Sequence, residues 1–79
     1  MRLPRDLSGD ELIRMLGKFG YFPVRQTGSH VRLLRIFDDH EHHLTIPLHS
    51  PLRLGTLNSI LQDVAINLGL AKEDILRNR

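Results

Sequence analysis

The 79-residue chain contains no cysteine and no tryptophan, and its aromatic residues are limited to three Phe and one Tyr. Without cysteine, disulfide bonds and thiolate metal sites are excluded, and a reducing compartment such as the cytoplasm is the expected location. No apolar run approaches the roughly 20 residues that a membrane-spanning helix requires, so no membrane association is expected. The basic first residues lead into no apolar signal-peptide core, so no export is expected either.

The chain also lacks a strong charge imbalance, because eleven Lys and Arg face nine Asp and Glu for a formal net charge of +2. This excess alone is weak evidence for nucleic-acid binding. All basic residues except Lys18 and Lys72 are arginines, whose planar guanidinium matches phosphate oxygens. A hydrophobic content of 41% and a charged content of 25% are ordinary for a globular chain. This length predicts a single domain over residues 1–79.

Helix signals stand at both ends of the chain. Ser8 is a good N-cap, and Glu11 three residues later completes a capping box, which predicts a first helix ending at Gly20. A second helix is expected to begin at residues 55–56 and to stop at Gly69. Residues 72–77 are predicted to add a short last helix.

Three strands are predicted between the helices, over residues 21–26, 31–37 and 43–48. Their short connections predict an antiparallel meander. Pro23 lacks a backbone donor, so the first strand is expected either to lie at an edge or to have its prolyl nitrogen facing outward. In that strand Phe22 and Val24 are expected on one face and Arg25 on the other. Consecutive Leu33 and Leu34 break the alternation of the second strand, which a β-bulge there would explain.

The order of elements predicts the fold class. Both helices are amphipathic and must bury their apolar stripes against one face of the sheet, so the opposite face stays open. The sequence therefore predicts an α+β two-layer sandwich of order α-β-β-β-α with a three-stranded antiparallel sheet and a short C-terminal helix.

The most informative stretch is the turn Thr27-Gly28-Ser29 followed by His30. Glycine supplies the positive φ that a tight hairpin needs. If Val31 and Leu33 face the core, strand alternation places His30 and Arg32 on the other face. An exposed imidazole beside a guanidinium suits chemistry on a phosphate backbone. The same alternation places His43 and Thr45 outward, on the same open face as His30.

Other polar and aromatic residues receive less specific interpretations. His40, His42 and His43 lack the spacing of a tetrahedral metal set and are expected in a solvated turn, so no metal and no cofactor is predicted. Tyr21 and Phe37 could stack on bases, but packing in the core or at an edge is the preferred interpretation.

Four segments occur in an order typical of one protein family. They are Ser8-Gly9-Asp10-Glu11-Leu12, Val24-Arg25-Gln26-Thr27-Gly28-Ser29-His30, Thr45-Ile46-Pro47-Leu48-His49 and Gly55-Thr56-Leu57-Asn58-Ser59-Ile60-Leu61. With them the chain resembles the HicA family of toxins that act as messenger-RNA interferases, whose fold is similar to that of a double-stranded-RNA-binding domain. The resemblance spans nearly the whole chain. One departure is residues 38–42, where many relatives have a short glycine-containing turn.

The resemblance implies that His30 is the catalytic residue of an endoribonuclease that cleaves messenger RNA without a metal and arrests translation. It also implies a HicB-type antitoxin that covers this histidine. Metal-free cleavage needs a base for the 2′-hydroxyl proton and cationic groups for the charge on phosphorus, roles that suit His30 and the pair Arg25 and Arg32. His49 or water could protonate the leaving oxygen.

The expected RNA-binding residues are Arg25, Gly28, Ser29, Arg32 and His43. For Gly28 and Ser29 two interpretations stay open, namely that turn amides contact the phosphate or that Gly28 serves only the backbone conformation. The alternative functions are a catalytically silent RNA-binding module of the same fold, or a pure interaction protein whose partner docks on the open face.

Overall fold

The chain follows the predicted order of one helix, three strands and two further helices. The structure is a computed structural model that describes residues 2–79. Its elements are α1 (Gly9–Gly17), β1 (Phe22–Thr27), β2 (His30–Ile36), β3 (Glu41–Pro47), α2 (Leu54–Leu68) and α3 (Lys72–Leu76). The predicted α+β class with an open three-stranded sheet is confirmed. No helix within residues 2–79 has the length and apolar character needed to cross a membrane.

The sheet is antiparallel in the order β1-β2-β3, so β2 is central and β1 lies at an edge, one of the two placements expected from Pro23. The inward side chains of β2 and β3 alternate with exposed ones and are Val31, Leu33, Leu44 and Ile46. They pack in one core with the helix residues Leu12, Leu16, Leu57, Leu61 and Val64. The helices therefore cover one face of the sheet and leave the other to solvent.

The start of α1 and the end of α2 are set by the predicted caps. The Ser8 hydroxyl accepts a hydrogen bond from the Glu11 amide at 3.1 Å, and the Glu11 carboxylate accepts one from the Ser8 amide at 3.3 Å. This capping box is confirmed. Helix α1 ends at Gly17, three residues before the predicted end, and the turn that follows brings the chain to Gly20. Helix α2 stops at Gly69 as predicted.

The predicted bulge lies in the wrong strand. Pro23 pairs with Leu33 and Arg25 with Arg32, so the extra residue is Val24 of β1 rather than a leucine of β2. A bulge shifts the alternation of its strand by one position. Phe22 and Arg25 consequently share the open face, contrary to the prediction that they lie on opposite faces.

The start of α1 is fastened to the end of β3. The Gly9 amide donates to the His49 carbonyl at 2.9 Å, and the Leu52 amide donates to the Leu7 carbonyl at 2.8 Å. Gly9 is buried, and a Cβ atom there would overlap the carbonyl oxygen of Pro47. Only glycine allows this close approach of helix and strand.

The Gly9 contact predicts a stability difference between two glycines of the same helix. Gly9→Ala should lower the free energy of unfolding by about 1–3 kcal/mol, because the backbone must shift to remove the overlap. Gly17→Ala is the control, since open space surrounds Gly17 and alanine favours the helix. Urea denaturation of both variants measures the difference, and equal stability would contradict the close approach.

Candidate functional site

The β1–β2 hairpin presents His30 at the first position of β2. Thr27 pairs with His30, which leaves Gly28 and Ser29 as a two-residue turn. Gly28 has φ 57 and Ser29 does not have a positive φ, the combination of a type II′ hairpin turn. The Ser29 carbonyl accepts a hydrogen bond from the Leu48 amide at 2.7 Å, so the turn is also bonded to the segment that follows β3.

His30 lies in a shallow basic depression on the open face of the sheet. The depression has a volume of about 180 Å³ and is lined by Arg25, Thr27, His30, Arg32 and Thr45. None of these five side chains is acidic, and each residue is exposed to solvent. The structure therefore places His30, Arg25 and Arg32 side by side at one end of the sheet.

The strand pairing arranges the open face in successive rows. The first row joins Thr27, His30 and Pro47, and the second joins Arg25, Arg32 and Thr45. The third row joins Phe22, Leu34 and His43. Polar and cationic side chains thus occupy most of the end near the turn, and a row of two apolar side chains and the His43 imidazole follows them.

His43 stands on the open face as predicted, one row beyond Arg32. The Arg32 Nε atom is 3.5 Å from His43 Nδ1, and the Glu41 carboxylate is 3.6 Å from His43 Nε2. His43 is therefore at the border of the basic depression and is not among the residues that line it. Gly28 and Ser29 are exposed at the turn itself.

His42 is buried, so its predicted place in a solvated turn is wrong. Strand β3 begins at Glu41, two residues earlier than predicted, and alternation then turns His42 inward together with Leu44. Its Nδ1 lies 2.6 Å from the Tyr21 hydroxyl, and its Nε2 lies 3.1 Å from the Asp63 carboxylate. Burial raises the pKa of Tyr21 to about 12, so the phenol stays protonated. Tyr21 belongs to the core, the preferred interpretation of the sequence.

His40 lies neither on the open face, as His43 does, nor in the core, as His42 does. Its ring stacks on Phe37 with centroids 4.5 Å apart, and its Nδ1 is 2.7 Å from the Asp39 carboxylate. The hydrogen bond to Asp39 raises the pKa of His40. The three neighbouring histidines thus point to different places, and within residues 2–79 no group of three or more His, Asp or Glu side chains is arranged to hold a metal ion.

A comparison with protein families identifies the chain's relatives. A family model described as the HicA toxin of bacterial toxin–antitoxin systems matches residues 9–66. The chain therefore belongs to the HicA toxin family, and membership implies an antitoxin partner. The match runs from α1 through the whole sheet into α2, so it includes the hairpin and its histidine. No curated protein and no solved structure matches the chain significantly.

The buried Tyr21–His42 pair predicts a stability effect. Tyr21→Phe should lower the free energy of unfolding by about 1–3 kcal/mol, because a buried ring nitrogen loses its hydrogen-bond partner. The double variant Tyr21→Phe/His42→Leu removes both polar groups and should recover part of that loss. Chemical denaturation measures both variants. A single variant as stable as the parent chain would show that the hydrogen bond contributes nothing.

Proposed function

We propose that this HicA-family toxin is a metal-independent endoribonuclease that cleaves messenger RNA, with His30 as its catalytic residue. The observation that carries the proposal is the exposed imidazole of His30 in a basic depression with Arg25 and Arg32. An anionic phosphate is the substrate group that two neighbouring guanidinium groups suit best. Messenger RNA in the cytoplasm supplies such phosphates, and its cleavage arrests translation.

The reaction uses groups that RNA and the chain provide. His30 takes the proton of the 2′-hydroxyl, and the 2′-oxygen then forms a bond to phosphorus. The bond from phosphorus to the 5′-oxygen breaks, and that oxygen receives a proton. The products are a 2′,3′-cyclic phosphate and a 5′-hydroxyl. Arg25 and Arg32 hold the phosphate and stabilise the charge that grows on its oxygens in the transition state.

The leaving 5′-oxygen needs a proton donor other than His30, since one imidazole cannot donate and accept in the same step. His49 is our candidate. Pro47 pairs with His30, the Leu48 amide bonds to the Ser29 carbonyl, and the exposed His49 follows directly, so its position in the chain is close to the hairpin turn although it does not line the basic depression.

The antitoxin partner is proposed to be a HicB-type protein that covers His30. A partner that presents carboxylates to the basic depression would compete with the RNA phosphate for Arg25 and Arg32. Exposure of the whole depression in the free chain supports this mode of inhibition.

The central test is RNA cleavage by the purified chain. Wild type should cleave a messenger RNA fragment equally well with and without a chelator, leaving cyclic phosphate and 5′-hydroxyl ends. His30→Ala should lower the rate by at least about 10²-fold, the usual contribution of general base catalysis. Single-turnover rates and end-group analysis measure both expectations.

His40→Ala is the matched control, because His40 is an exposed histidine in the turn before β3 and outside the basic depression. It should cleave as wild type does. Binding of RNA without cleavage by wild type would instead favour the catalytically silent RNA-binding module. An intact chain that neither binds nor cleaves RNA would leave only a protein-docking role.

Two substrates with different leaving groups distinguish a proton donor from a structural role at His49. His49→Gln should slow cleavage of ordinary RNA by about 10²-fold or more, since the 5′-oxygen leaves without a proton. An oligonucleotide whose leaving group is p-nitrophenolate needs no such proton, so the same variant should cleave it at the wild-type rate. His30→Ala should be slow on both substrates. An equal loss on both substrates for His49→Gln would assign that residue a structural role.

A further inference from the structure

Next to the basic depression the open face carries a row of planar and apolar side chains that the proposed reaction does not use. Phe22, Leu34 and His43 lie side by side across the three strands, and we refer to them as the base platform. Phe22 retains 44% of its exposure, and Ile36 beyond the row retains 61%. Phe22 stands at the β1 edge of the row, beside Leu34 of the central strand, so these side chains and Ile36 form an apolar patch on the open face. An apolar patch beside a rim of polar groups is typical of a ligand-binding surface.

We propose that the base platform binds an unpaired nucleobase of the RNA strand whose phosphate lies in the basic depression. This inference rests on the proposed function and adds to it a subsite for one unpaired base of the RNA. Phe22 supplies a ring face, His43 supplies a second planar group, and Leu34 fills the space between them.

The dimensions of the sheet suit this ligand. Neighbouring strands are about 4.8 Å apart, so the platform spans about 10 Å across the sheet. Leu34 follows His30 by four positions, which places the platform about 13 Å from the first row, which contains His30. The base held there belongs to a nucleotide near the cleaved linkage, and Arg32 stands between the two rows for the intervening phosphate.

The charge pattern favours RNA over a protein ligand. The platform is continuous with two guanidinium groups, and the Arg32 Nε atom is 3.5 Å from the ring of His43. A strand of alternating flat bases and anionic phosphates matches a surface that alternates between planar and cationic rows. An RNA duplex does not fit, because its bases are already stacked and cannot lie on a sheet.

Equilibrium binding tests the platform without cleavage. The probe is a fluorescein-labelled mixed-sequence RNA oligonucleotide, and every protein carries His30→Ala so that the RNA stays intact. Adding Phe22→Ala should weaken single-strand binding about fivefold or more, the loss typical of a stacking side chain. Phe22→Tyr should restore binding, whereas Phe22→Leu should not, since leucine is apolar but has no ring face. Fluorescence anisotropy measures each dissociation constant.

Ile66→Ala is the matched control, because Ile66 is an apolar side chain of α2 that is 72% exposed and lies away from the sheet. It should leave binding unchanged. The same oligonucleotide annealed to its complement should bind more weakly than the single strand and respond little to Phe22→Ala. Circular dichroism and thermal melting confirm that each variant is folded.

The outcomes separate this inference from the proposed function. If wild type cleaves RNA but Phe22→Ala binds single strands as tightly as Ile66→Ala, the platform is wrong and the nuclease stands. If wild type does not cleave but Phe22→Ala weakens binding, the platform stands and the nuclease is wrong. If Phe22→Ala loses antitoxin binding but binds RNA as wild type does, the platform is wrong and the row is a protein-docking surface.

Discussion

The hydrogen bond from the Leu48 amide to the Ser29 carbonyl is the constraint on which the rest of the site depends. At 2.7 Å it extends the pairing of β2 and β3 beyond the last strand residue and onto the hairpin turn. A two-residue turn at the end of two strands would otherwise be supported from one side only. With this bond, His30 sits between a paired residue on β1 and a paired residue on β3. The backbone that carries the imidazole is therefore held in place although no core packing surrounds the ring.

Helix α1 contacts the same end of the sheet from the buried face. The Gly9 amide bonds to the His49 carbonyl directly after Leu48, so the first turn of the helix and the end of β3 share one backbone network. The absence of a side chain at Gly9 brings the two together. The cap of α1, the β2–β3 pairing and the hairpin turn thus meet at the same end of the sheet. Together they hold a small site rigid although no cleft surrounds it.

Much of this arrangement follows from the sequence, and the reasons differ by residue. Strand alternation predicted His30 and Arg32 on the face opposite to that of Val31 and Leu33. Because side chains alternate with a period of two residues, burial of one set exposes the other. Alternation failed for Phe22, because a bulge is a property of strand pairing and Val24 alone carries no sign of it.

His42 shows a different limit. Extending the alternation of Leu44 and Ile46 backward by one step would have turned it inward, but its position in a run of polar residues favoured a solvated turn. Its partners Tyr21 and Asp63 lie on the segment before β1 and on α2, distances in sequence that no local pattern reports. A buried imidazole with a partner for each nitrogen satisfies the polar groups it brings into the core.

The distribution of charge explains why a net charge of +2 understates the potential at the site. Glu11 and Asp6 pair with Arg79, and Asp74 pairs with Arg77, so these three carboxylates lie near the helices and have cationic partners there. Within residues 2–79, Arg25 and Arg32 take part in no ion pair with a carboxylate. Asp39 and Glu41 lie at the opposite end of β2 and β3, more than a Debye length of about 8 Å from His30 at physiological ionic strength, and the Glu41 carboxylate reaches His43 at 3.6 Å without pairing with Arg32. A phosphate approaching the open face near the turn thus meets unpaired guanidinium groups, and the overall balance of the chain does not screen them.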